Sequence, residues 1–88
     1  MSKVVKPASI RQLSHIVETD DGKWYLVDCQ DLRGNILGGG LELMVFKVRK
    51  RSGTVSDWKH PVLEEHLGTY EELYVRHHQI TQHLEQYI

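Results

Sequence analysis

The sequence predicts an α+β domain, an antiparallel β-meander of about four strands packed against one C-terminal helix. A hairpin signal, a long strand and a capped helix carry that prediction. Asp20-Asp21-Gly22 separates two β-rich runs, and Asp-Gly marks a hairpin turn because glycine accepts a positive φ without a Cβ clash. Leu41 to Arg49 is rich in alternating apolar residues, the period of a strand. Leu73, His77, Ile80 and Leu84 recur after Thr69-x-x-Glu72, which is one helical stripe behind a capping box.

Each element follows in order. Residues 1–8 read as a loose leader, because the charges and Pro7 disfavour regular structure. Residues 9–30 form the first hairpin: His15-Ile16-Val17 is the centre of one strand, and Lys23 to Cys29 returns with aromatic and β-branched residues. Gln30 to Gly40 is a linker, with Arg33-Gly34-Asn35 as a turn and Gly38-Gly39-Gly40 as a hinge. A phosphate cradle is disfavoured there, since the glycines precede a strand rather than a helix and no Lys-Ser/Thr follows.

Residues 41–58 form the second hairpin. Alternation places Glu42, Met44, Phe46 and Val48 on one face and Leu41, Leu43, Val45 and Lys47 on the other. Arg51-Ser52-Gly53 is the turn, and Thr54 to Trp58 the short return strand. Lys59 to Leu67 reads as a corner containing Pro61, from which Val62 and Leu63 tuck under the sheet. Residues 69–86 carry the helix, with Glu71 and Glu72 suited to its positive end.

The order Glu42-x-Met44-Val45-Phe46, then Gly53-x-Val55-x-Asp57-Trp58, then Thr69-x-Glu71-Glu72 with His77 resembles a group of small uncharacterised proteins met in bacteriophages, prophages and bacterial genomes. The resemblance runs from Leu41 to Gln79. Leu43 stands where that group often has Thr, and Leu73 where it usually has a small residue. The resemblance implies a short antiparallel sheet with one helix and a phage origin. It transfers no functional residue.

Bulk properties exclude several classes. With 88 residues the chain is one domain. A chain this short buries little more than half of its unfolded surface, which favours self-association. Eleven basic residues against twelve acidic leave a net charge of -1, not the strongly basic footprint of a duplex DNA binder. Cys29 is the only cysteine, so an intrachain disulfide and a CxxC site are excluded. No apolar run has the length of a secretory h-region or a membrane span. A cytoplasmic protein is expected.

Candidate chemistry is sparse. Six histidines is a high count. His60, His66 and His77 are the candidate metal ligands, brought together by the corner and the helix. Their spacing is poor: zinc-binding helices use i,i+3 or i,i+4 pairs, and His78 and His83 lie about 140° apart on a helix. His77 is better read as a core residue. Glu64-Glu65 and Glu71-Glu72 are no acid pair, because Glu72 caps the helix and nothing marks a pocket. Cys29 shares a face with Val27 and Tyr25, which favours a buried thiol over a nucleophile. Glu42 is either wet at the strand start or paired with His77 or Arg76. No catalytic residue and no cofactor are expected.

The positive signal is surplus apolar surface. One helix covers one sheet face, and Met44, Phe46 and Val48 suit it. The other face then carries Leu43 and Val45, joined by either Trp24 and Leu26 or Tyr25 and Val27. Trp24, Leu26, Leu43 and Val45 are the candidate interaction surface. The expected function is a non-catalytic protein-interaction module, homodimeric or docked on another protein, of the accessory or host-inhibitor kind if phage-encoded. The alternatives are a single-stranded nucleic-acid binder, using Trp24, Tyr25 and the basic run Lys47, Arg49, Lys50, Arg51, and a histidine-dependent metal-binding protein.

Overall fold

Two apolar faces compete for one helix, and the antiparallel sheet resolves the competition by burying residues on both. A computed structural model describes residues 3–7, 13–32 and 40–88. The strands are β1 (Lys3–Pro7), β2 (His15–Glu18), β3 (Trp24–Asp31), β4 (Leu41–Arg49), β5 (Thr54–Val55) and β6 (Leu63–Leu67), followed by α1 (Tyr70–Gln82) and a short 3₁₀ turn at Leu84–Gln86. The sheet runs β1-β2-β3-β4-β5, and β6 also pairs with β4. All pairings are antiparallel. This is the α+β meander with a C-terminal helix that the sequence predicts.

The turns follow local chemistry. Gly22 has φ +83° between β2 and β3, and Gly53 has φ +70° between β4 and β5. Thr19 closes the first turn by donating from its hydroxyl to Asp21 and accepting from the Lys23 amide. The same loop is tied to the C-terminus, where the Asp20 amide donates to Glu85 Oε2 at 3.0 Å.

The leader expectation is corrected. Lys3–Pro7 is a strand on β2, with a register shift between Val4 and Lys6. An edge strand tolerates proline and lysine, which a central strand does not. The corner is corrected as well. Leu63–Leu67 pairs with Leu41–Val45, although its middle reads Glu-Glu-His, because an edge strand is wetted along one side. The fourth strand is shorter than expected and stops at Val55. Gly38 and Gly39 of the expected hinge, and Arg33-Gly34-Asn35, lie outside the described residues.

β5 and β6 lie along the same edge of β4. The Ser56 amide donates to Lys47 and the Val62 amide to Val45, so Asp57–Pro61 is an excursion opposite Phe46. It carries Trp58, whose ring lies 4.9 Å from Phe46. Phe46 is thereby buried together with Ile16, Leu26 and Val48.

The helix packs on the other face. Leu73, Ile80 and Leu84 join Val17, Tyr25, Val27, Cys29, Leu41, Leu43 and Val45 in the main core. The expected assignment of β4 faces is therefore inverted: α1 covers Leu41, Leu43 and Val45, not Met44, Phe46 and Val48. At about 25 cal/mol per Å², both apolar sets gain from burial. Alternation alone does not say which one meets the helix.

α1 begins as the capping signal predicts, with the Thr69 hydroxyl accepting from the Glu72 amide at 3.1 Å. The reciprocal bond is displaced by one residue, since Glu72 Oε2 accepts from the Gly68 amide. The helix ends earlier than expected, at Gln82.

Candidate functional site

The expected interaction surface does not assemble. Trp24↔Val48 and Leu26↔Phe46 place Trp24 and Leu26 on one face, while Val27↔Val45 and Cys29↔Leu43 place Leu43 and Val45 on the other. Leu43 and Val45 are fully buried beneath α1. Period-two side-chain placement forbids a surface made of all four. The alternative set, Tyr25 and Val27 with Leu43 and Val45, does share a face, and that face is the core.

The three candidate metal ligands are not brought together. His77 is buried on the inner side of α1, its ring 4.9 Å from that of His15. His66 projects from the opposite face of β6, where Glu42 lies 3.4 Å away and Glu64 3.1 Å. His60 sits on the Asp57–Pro61 excursion, 2.7 Å from Asp57. Among the described residues no three His, Cys, Asp or Glu side chains form a metal-binding group. Glu42 has a partner, but it is His66 and not His77 or Arg76.

The other candidate groups are buried or paired. Burial, with a smaller contribution from Asp28, pushes the Cys29 thiol up to about 12, so no thiolate forms near neutrality. The Asp28 carboxylate accepts from Ser14 and Gln30. Burial pulls His77 down to about 4, reinforced by His15 and His78 and opposed by a hydrogen bond to the Leu13 backbone. Its Nε2 has no hydrogen-bond partner among the described residues. Arg76 clamps Glu65 with two bonds of 2.7 and 2.6 Å and lies 4.8 Å from the Tyr87 ring centroid. That pairing holds the Glu65 carboxyl below its usual range and raises the guanidinium.

Three members of the nucleic-acid constellation have other contacts, while Lys47, Arg49 and Arg51 are exposed. Tyr25 is buried in the core. The Trp24 indole donates to Glu18 at 3.1 Å, and Lys50 bridges the same carboxylate at 2.8 Å while lying over the indole ring.

Exposed apolar surface lies at Trp58 and Val62 beside β5 and β6, and along the helix. Tyr74 is 49% exposed and Val75 58%. The Tyr70 ring lies 5.7 Å from that of Tyr74, as i,i+4 spacing requires. This ridge stands off the Leu73–Leu84 stripe, and the i,i+4 spacing of Tyr70 and Tyr74 is its signal in the sequence. An open cleft of about 560 Å³ lies at its foot, lined by Leu13, Tyr74, Val75, His77, His78 and Gln79. A second, of about 490 Å³, lies between α1 and β6, floored by Leu67 and Val75 and rimmed by Glu65, Glu71, Glu72 and Arg76.

No family model, curated protein or solved structure matches the chain. No helix among the described residues is long and apolar enough to cross a membrane.

Proposed function

We propose that the protein is a non-catalytic, cytoplasmic protein-interaction module that self-associates as a homodimer. The observation that carries the interaction-module reading is the outward ridge of α1, where Tyr70, Tyr74 and Val75 stand in solvent. Large side chains held exposed side by side are what a contact surface needs, since aromatic residues supply much buried area at low entropic cost. Small size argues the same way, because a chain of 88 residues gains stability by burying surface against a second copy. Cys29 is buried and Glu65 is paired with Arg76, which is in keeping with a non-catalytic reading. The likeness to phage and prophage proteins extends the reading to an accessory factor or host-directed inhibitor.

Molar mass by light scattering, across a tenfold dilution, tests the reading. It predicts twice the chain mass at the concentrated end. The chain mass at every concentration would refute self-association.

A further inference from the structure

We infer that the homodimer forms by antiparallel pairing of β6 with β6 of a second copy, about a two-fold axis at Glu65. The inference rests on the self-association proposed above and assigns it a surface. β6 is an edge: it pairs with β4, and among the described residues no strand pairs with its other side. The opposite edge, β1, carries Lys3, Lys6, Pro7 and a register shift, the devices that discourage edge pairing. β6 has no proline, no lysine and no shift in its register with β4, and the inward-pointing charge it does carry, Glu65, is paired with Arg76.

The sequence of β6 is close to a palindrome, Leu63-Glu64-Glu65-His66-Leu67. A two-fold antiparallel pair must place one residue opposite its own copy, because hydrogen-bonded and non-hydrogen-bonded pairs alternate along the ladder. Centring on Glu65 sets Leu63 opposite Leu67 on the helix face and Glu64 opposite His66 on the other, each twice. Centring on Glu64 or His66 sets a leucine against Glu65 and opposes identical polar groups. Only the Glu65 register matches apolar to apolar and acid to imidazole over the whole strand.

The residues at the centre are prepared for this contact. The two Glu65 carboxylates would repel, but each is clamped by its own Arg76, so the centre carries no net charge. Glu64 and His66 already lie 3.1 Å apart within one chain, and both are exposed. The partner copy adds a third carboxylate to each imidazole, beside Glu42 and Glu64 of its own chain. The cleft floored by Leu67 and Val75 opens beside β6, and the second copy closes it. One continuous sheet then spans both subunits, with the two helices on the same face.

Register-specific cysteine cross-linking tests this, alongside light scattering of the unmodified chain. Directly opposed residues in an antiparallel pair have Cα atoms about 4.5–5.5 Å apart, within disulfide reach, whereas diagonal neighbours are about 7–8 Å apart and outside it. Glu65→Cys therefore cross-links to a covalent dimer under mild oxidant. Glu64→Cys alone and His66→Cys alone do so roughly tenfold more slowly or not at all, while an equimolar mixture of those two variants cross-links readily. The mixture leaves the Glu65–Arg76 clamp intact, so it tests the register even if Glu65→Cys destabilises the fold. A dimer by light scattering without this pattern overturns the β6 edge and leaves self-association standing. A monomer at every concentration overturns both.

Discussion

Acidification should destabilise this protein through His77. His77 is 9% exposed and its pKa falls from 6.5 to about 4 on folding. The groups that face it are His15 from β2 and His78 from its own helix, both of which oppose a positive charge there. The folded pKa lies below the unfolded one, so the unfolded chain takes up the proton first as pH falls. The stability is fully present above 6.5, drains away between 6.5 and about 4, and is gone below. At about 1.4 kcal/mol per pKa unit, the whole window is worth about 3 kcal/mol, of which about 2 kcal/mol is lost between pH 7 and pH 5. Urea denaturation at pH 7, 6 and 5, at fixed protomer concentration, reads this directly. Asp21, Asp57 and Glu65 have lowered pKa values, so their contributions are lost mainly below the pH 5 limit of the series. His77→Leu, in the stripe of Leu73 and Ile80, should flatten the dependence. A wild-type stability constant from pH 7 to pH 5, or an unchanged slope in His77→Leu, would refute the reasoning.

Further outcomes follow from the same geometry. Glu65→Gln should cost about 1–2 kcal/mol, because it weakens a charge-assisted bidentate pair whose side chains are only 22% and 30% exposed; a double-mutant cycle with Arg76→Met isolates the coupling. Leu43→Ala should cost about 2–5 kcal/mol in chemical denaturation, since Leu43 is fully buried under α1, and a cost below ~1 kcal/mol would place it at the surface. Cys29 should resist a thiol reagent at pH 8 in the folded state and react on unfolding, because its thiol is raised to about 12 and buried.

Much of the fold was legible because the local signals agree with the global arrangement. Asp21-Gly22 supplied the only residue type that fits φ +83° without strain. The Thr69 cap and the Leu73–His77–Ile80–Leu84 stripe marked where α1 starts and which side it buries. The faces of β4 were not legible, for a physical reason. Both alternating sets are apolar, and the excursion carrying Trp58 supplies a second cover that periodicity does not reveal. β1 and β6 were missed because edge strands accept the Lys, Pro, Glu and His that mark loops elsewhere. The pairing of Glu42 with His66 was hidden for the same reason, since it depends on β6 being a strand in register with β4.

Amide hydrogen exchange across a concentration series tests the central claim most directly, that the chain acts by protein contact beginning with its own copy at β6. The account predicts that the outward amides of residues 63–67 are protected at high concentration and lose protection on dilution, while β1 is unchanged. Protection in β6 that ignores concentration, or a concentration dependence confined to β1, would contradict it.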